Sequence, residues 1–414
     1  NLWIIQRGTL LVYSSKRPEN IYNLQNGDYF GDKSISGDPD RIGSHTAVCE
    51  ENLTTWVLTR KDIELVIGDI SRLGSSKAFA KTKQDRSIML SHLKRHRVLG
   101  QGGFGKVWLV SHKSSTESYA LKVISKQKLV RSHQVQSVLR EKDMLCLLQH
   151  PFILHLVSTF QDEDNLYLLL PVIQGGELYS QVRSRSVDGR GLPSYDAAFY
   201  AACIVEALGH FHQRHIAYRD LKLENVLLDN EGYCIIVDLG FAKVVTDKTF
   251  TMVGTPEYLA PEVIMSRGHN HAADYWSFGV LVYELMCGLS PFFQKGSSQM
   301  DMFKRIVMVK YDMPEFLDEH QKSFVMQLLV RKQANRLGNQ ANGYVDIKRH
   351  EWFQAVNLDF RRIHKKELKA PWKPKLTEDP LDVSDNFDDF SSLRDESIRY
   401  GNLSESDQKL FESF

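Results

Sequence analysis

The sequence predicts an α+β chain of more than one domain, and three observations carry that reading. Residues 1–58 alternate apolar and polar side chains between turn signals. A second β-rich block spans about 93–123, and from Gln134 onward a helical period takes over. The 414 residues make two or three domains at roughly 150 residues each. Hydrophobic residues at 42%, charged residues at 25% and a net charge of +1 exclude a mostly disordered chain and a polybasic nucleic-acid binder. The most apolar stretch, 278–293, carries Glu284 in its middle, so no segment reads as a membrane span.

In chain order, 9–13 and 54–58 read as short strands, with Asn26-Gly27-Asp28 and Gly37-Asp38-Pro39 as turns. Residues 60–70 (RKDIELVIGDI) look helical, and 71–86 shift to Ser, Lys, Gln and Gly, the composition of a linker. VLREKDMLCLL (138–148) and YDAAFYAACIVEALGHFH (195–212) are helices by period. Near the end, Arg361, Arg362, Lys365, Lys366, Lys369, Lys373 and Lys375 precede six acids in 378–389, which reads as a solvated face. The first residues show no basic region before a signal-type apolar one, and the lack of an initiator Met points to a piece of a longer protein. Five scattered cysteines, odd in number and without CxxC spacing, read as reduced thiols in the cytoplasm, and their spacing gives no zinc site.

The chemistry begins at GQGGFGKV. Gly100, Gly102 and Gly105 let a backbone hairpin approach phosphates closely. A ligand-free glycine hairpin is the plain alternative. A dinucleotide fold requires a helix after the glycines, whereas KVWLVSH continues as strand. Lys122 stands mid-strand in YALKV, and Glu141, 19 residues on in a helix, can pair with it and hold it against two phosphates. Such a pair has to offset several kcal/mol of desolvation, roughly, so positioning explains it better than stability. YRDLKLEN (218–225) crowds Asp220, Lys222 and Asn225 among apolar neighbours. Asp220 suits orienting an acceptor hydroxyl and taking its proton, Lys222 neutralising a phosphoryl group, and Asn225 holding Mg²⁺. Asp238 ends the apolar strand of IIVDLG, where a carboxylate suits a second metal contact, and GTPEYLAPE follows at 254–262.

Taken in order over residues 93–353, these motifs resemble the eukaryotic protein kinases. The resemblance implies a bilobal fold with a β-rich small lobe, a helical large lobe and, over 354–414, a C-terminal tail. Tyr218, GFAK (240–243), SDNFDDF (384–390) and the terminal FESF are similar to the AGC kinases, the cAMP- and cGMP-dependent enzymes above all. It implies ATP and Mg²⁺ as cofactors, with ATP held by Gly100, Gly102, Gly103, Phe104, Gly105, Val107, Ala120, Lys122, Leu170, Pro171, Ile173, Glu177, Asn225, Asp238 and Phe387. Glu177, Glu224 and Glu284 match acids that receive substrate arginines, so protein substrates with basic residues before Ser or Thr are expected. Thr251, with Thr249 as the alternative, matches the activation-loop phosphosite of an upstream kinase, its phosphate tying Arg219 to Lys243. Phe411 and Phe414 match a docking motif on the small lobe, each contributing about 1.5–3 kcal/mol when buried. Glu262 and Arg336 match a structural ion pair.

Three positions depart from the pattern. Leu239 replaces the commoner Phe after Asp238, Pro171 stands at the hinge, and Ser137 replaces a histidine that reaches the phosphothreonine. Residues 1–70 resemble the later part of a cyclic-nucleotide-binding domain, a partial β-roll joined by a linker over 71–92. There Gly31 and Asp32, with Arg41, match cGMP- or cAMP-binding positions. The usual Arg position falls on Gly43, which leaves the phosphate without its cation and makes weak or absent binding the expectation. A degenerate regulatory domain, or a catalytically silent scaffold, are the rival readings. Oligomeric state is not legible.

Overall fold

The computed structural model describes residues 2–7, 10–14, 17–24, 29–30, 45–49, 53–59, 87–115, 117–187, 190–245, 247–375, 403–412 and 414. The chain divides into two compact units, 1–80 and 81–414. The first holds six short strands: β1 (Leu2–Arg7), β2 (Leu10–Ser14), β3 (Arg17–Leu24), β4 (Tyr29–Phe30), β5 (His45–Cys49) and β6 (Thr54–Leu58). They form two antiparallel three-stranded sheets, ordered β4-β1-β6 and β3-β2-β5. Ile5 and Leu10 are buried, as the alternation requires. Gly31, Asp32, Arg41 and the expected helix at 60–70 lie outside the described residues.

The second unit has two lobes. The small lobe is an antiparallel five-stranded sheet built from β7 (Leu93–Gln101), β8 (Gly105–His112), β9 (Ser118–Ser125), β10 (Ser158–Gln161) and β11 (Asn165–Pro171), ordered β10-β11-β9-β8-β7. Two helices, α1 (Lys126–Arg131) and α2 (Val135–Leu147), follow β9. Ser125 caps α1 by accepting from the Lys128 N–H. Gly105 is forced by packing, because a Cβ there would lie 1.7 Å from the Val123 carbonyl oxygen across the β8–β9 pair.

The large lobe is helical: α3 (Leu178–Arg185), α4 (Ser194–His212), α5 (Pro261–Ile264), α6 (Ala272–Cys287), α7 (Gln299–Met308), α8 (Glu319–Leu328), α9 (Tyr344–Lys348), α10 (Glu351–Ala355) and α11 (Phe360–His364). Its strands are short: β12 (Ile216–Ala217) pairs with β15 (Lys243–Val244), and β13 (Val226–Leu228) with β14 (Cys234–Ile236). Helices α4 and α6 are apolar on nearly every face, and both are buried almost throughout. Arg336 is fully buried and bidentate to Glu262, Nη1 to Oε1 at 2.8 Å and Nη2 to Oε2 at 3.0 Å. It also donates to the Ala272 carbonyl at 2.6 Å and lies over the Trp276 ring at 5.3 Å.

The terminal helix α12 (Glu405–Lys409) brings the chain end back to the small lobe. Phe411 is fully buried, with the Lys126 ammonium 5.2 Å from its ring centroid. Gln161 donates to the Phe411 carbonyl at 3.2 Å, and the Lys142 ammonium sits 5.6 Å from the Phe414 ring.

Arg336→Ala leaves the Glu262 carboxylate buried without its cation. The expected loss in urea denaturation is about 3–5 kcal/mol. Phe411→Ala is expected to cost about 3–5 kcal/mol at a site far from the Arg336 pair in sequence. Hydrogen exchange is expected to place that loss in α1 and α2, and unchanged protection there would contradict the docking role of the chain end.

Candidate active site

A cleft of about 280 Å³ is lined by residues of both lobes, among them Gly100, Val107, Ala120, Leu170, Pro171, Ile173 and Asp238. Leu170 and Pro171 end β11, opposite Ala120 and Tyr119 of β9. On the glycine hairpin, a Cβ at Gly100, Gly102 or Gly103 would meet no protein atom within 4 Å. The chain's own packing therefore does not demand glycine at these three positions. The space they leave open suits a group as large as a phosphate. Gly103 and Phe104 line a separate hollow with Gln127, Lys128, Arg131 and Ser132.

Lys122 points from mid-β9 to α2, its Nζ 2.6 Å from Glu141 Oε1. Burial pulls the ammonium's pKa down, but Glu141, aided by Asp238, outweighs it and leaves Lys122 above the ordinary lysine value. Glu141 is itself buried, and Leu239, 1% exposed, lines the same cleft. Leucine thus fills this apolar position after Asp238. Ser137, one turn before Glu141, donates to the Gly240 carbonyl at 3.5 Å.

The loop 218–225 is held from beneath by Asp274, a residue that sequence reasoning missed. Its carboxylate is 1% exposed. Oδ2 accepts from the Tyr218 N–H at 2.9 Å, and Oδ1 from the Arg219 N–H at 2.8 Å. His212 Nε2 lies 2.8 Å from Oδ2. Tyr218 stacks on Phe211 at 5.4 Å and donates its hydroxyl to the Val237 carbonyl at 2.6 Å. So anchored, Arg219 takes φ +69° and Asp238 φ +54°, left-handed conformations uncommon outside glycine.

Asp220 is buried and sits in a polar network. Its Oδ2 accepts from Asn225 Nδ2 at 2.8 Å, and its Oδ1 from Thr255 Oγ1 at 3.0 Å. Lys222 Nζ donates to Thr255 Oγ1 at 3.0 Å and lies 3.4 Å from Asp220 Oδ2. Thr255 was also missed, because a hydroxyl in GTPE carries no signal by itself. Asn225 spends its amide N–H groups on Asp220 and accepts from the Val237 N–H through its backbone carbonyl at 3.0 Å. Its side-chain oxygen and the carboxylate of Asp238 are both hard oxygen donors, the type that Mg²⁺ takes.

Below the loop, Glu224 and Glu284 share their surroundings with Glu257. Burial pushes the Glu284 carboxyl up to about 7, and the neighbouring acids add to this, against a hydrogen bond from the Tyr258 hydroxyl. Arg183 Nη2 lies 3.9 Å from Glu284. Burial, with Glu224 next, also raises Glu257. Glu177 is exposed at the start of α3, apart from the cleft lining.

In the activation segment Thr249 is buried, exchanges backbone hydrogen bonds with His269 at 2.8 and 2.9 Å, and accepts from Lys243 Nζ at 3.2 Å. Thr251 is exposed. Arg219 donates through Nε to the Phe241 carbonyl at 2.8 Å. Burial lowers the pKa of its guanidinium, and its Nη1 is shielded from solvent without a hydrogen-bond partner among the described residues. Phe387 lies outside the described residues.

A family profile described as "Protein kinase domain" matches residues 93–353. A cGMP-dependent protein kinase of Eimeria tenella is 37% identical over 90% of this chain and 36% of its own length. The human cAMP-dependent protein kinase catalytic subunit PRKX is 43% identical over 68% of this chain and 76% of its own. The cAMP-dependent protein kinase catalytic subunit 2 of Drosophila melanogaster is 39% identical over 80% and 91%. The chain therefore spans about a third of the length of the cGMP-dependent relative and most of the two catalytic subunits. With its two-lobed fold and the polar constellation at the cleft, the chain belongs to the protein kinase family.

Proposed function

We propose that this chain is a Ser/Thr protein kinase that transfers the ATP γ-phosphoryl group to residues preceded by arginine. The observation that carries the reading is a cleft lined by Lys122, Glu141 and Asp238 beside open glycines, its wall residue Val237 bonded to Asn225, which in turn holds Asp220. Adenine packs between Val107, Ala120 and Leu170, with the Pro171 carbonyl as acceptor and the Ile173 N–H as donor; the missing N–H of Pro171 is not needed. Lys122, held by Glu141, takes phosphate oxygens. Mg²⁺, held by Asn225 and Asp238, supplies charge neutralisation at the phosphates when bound. Asp220, fixed by Asn225 and Thr255, orients the acceptor hydroxyl and accepts its proton, while Lys222 offsets charge on the group in transfer. Thr251 is the activating phosphosite, since Thr249 is buried and the Arg219 guanidinium has a donor to spare.

The first unit reads as a cyclic-nucleotide-binding remnant, supported by its paired antiparallel sheets and by the printed name of the cGMP-dependent relative. With Gly43 at the Arg position, it holds nucleotide weakly or not at all. The cytosol is the proposed setting, where buried thiols such as Cys203, Cys234 and Cys287 stay reduced.

The deciding assay uses a peptide with two arginines before its serine, with and without cGMP. Transfer is expected to be indifferent to nucleotide and to fall about 10²–10⁴-fold in Asp220→Asn. Wild-type protein that binds ATP yet transfers nothing, even when phosphorylated at Thr251, would leave a scaffold. A pH series tests the arginine site. Below about 7 Glu284 is largely protonated and attracts guanidinium poorly, so kcat/KM for the arginine peptide should climb between pH 6 and 8. A peptide with alanines for arginines, or the Glu284→Gln variant, should lack that extra climb. Parallel profiles would remove Glu284 from substrate selection.

A further inference from the structure

Away from the cleft, titratable side chains from three elements converge: His150 in the loop after α2, Glu206 and His210 one turn apart on α4, and His364 ending α11. His364 Nδ1 lies 3.3 Å from Glu206 Oε2. The His150 ring centroid is 4.9 Å from that of His210 and 5.2 Å from that of His364. One ligand atom each from His150, Glu206 and His364 falls within 4.8 Å of the others. Beside them, His210 Nε2 is shielded from solvent without a hydrogen-bond partner among the described residues.

We propose that Glu206, His364 and His150 form a binding site for a divalent transition-metal ion of the zinc class. A tetrahedral ion with bonds of about 2.0–2.1 Å holds adjacent ligand atoms about 3.3 Å apart, which is the separation already set between His364 and Glu206. Lys348 engages Oε1 of Glu206 and leaves Oε2 to the ion, acting as the outer partner that fixes the carboxylate. The ion takes the place of the hydrogen bond between His364 Nδ1 and Glu206 Oε2, and the imidazole keeps its one N–H at Nε2. His150 joins as third ligand by closing in on the pair, from a loop and toward a half-exposed His364. The His150 Nδ1 accepts from the Phe152 N–H at 3.2 Å. Lys348 and Arg214 oppose a cation here, so affinity rests on the imidazole nitrogens, which favour Zn²⁺ or Co²⁺ over Mg²⁺ and Ca²⁺. A bound ion would tie α4 to the segment after α11, which Lys366–Asp229 at 2.6 Å and a Tyr233–Leu368 hydrogen bond already fasten to the same lobe.

The test titrates Co²⁺ into the whole, chelator-stripped chain without ATP or Mg²⁺ and follows visible absorption. The expected result is a band that saturates at a single equivalent, is displaced by Zn²⁺ and is untouched by excess Mg²⁺. His364→Ala and Glu206→Gln should each weaken it about tenfold or more, while His364→Ala keeps its basal phosphotransfer. No band, a band that survives His364→Ala, or one that Mg²⁺ displaces toward Asn225 and Asp238 would overturn the proposal. Should Glu206→Gln fail to fold, the half-exposed His364 decides alone.

Discussion

One buried carboxylate, Asp274, sets the geometry on which the rest of the site depends. It satisfies two consecutive backbone donors of a loop that could not otherwise hold Arg219 in a left-handed conformation. Asp274 stands in the first turn of α6, where the helix dipole favours a negative charge. Two residues earlier in the same turn, the Ala272 carbonyl accepts from Arg336. The networks of Arg336–Glu262 and Asp274–His212 thus meet at one helix end. The loop beneath the cleft and the segment containing GTPEYLAPE are referenced to a single rigid point in the large lobe.

Around that point the polar groups differ in how fully they are satisfied. Asn225 and Thr255 both donate to the Asp220 carboxylate, which fixes its orientation before any substrate arrives. Arg219 and the acidic trio of Glu224, Glu257 and Glu284 are less well served. A half-buried guanidinium whose Nη1 has no hydrogen-bond partner among the described residues and three crowded carboxyls with one distant arginine are complementary deficits. Each lowers the energetic barrier to accepting a charge of the opposite sign from outside.

Much of this was legible in the sequence because the chemistry is coded by dense, local clusters. GQGGFGKV, YRDLKLEN and IIVDLG each name several side chains at fixed spacing, and folding brings Lys122 and Glu141 together across the lobe. Strand alternation and helical period located β9, α2 and α4 within a few residues. Asp274 and Thr255 were not legible. Each is a lone polar residue whose role comes from contacts with segments 35 to 62 positions away in sequence, which periodicity does not encode. The histidine cluster was invisible for the same reason, since its members come from a loop, a helix face and a late helix that only the tertiary fold brings together.

The return of α12 to the small lobe has a consequence for how the chain is made. The surface of α1 and α2 that Phe411 and Phe414 meet belongs to a lobe whose strands emerge from the ribosome more than two hundred residues earlier. Synthesis proceeds from the N-terminus, and nascent domains begin to fold as they appear. The small lobe must therefore wait, sheet formed but one apolar face still wet, until nearly the whole large lobe has followed. During that interval the uncovered apolar surface is of the kind that makes partly folded chains prone to aggregate.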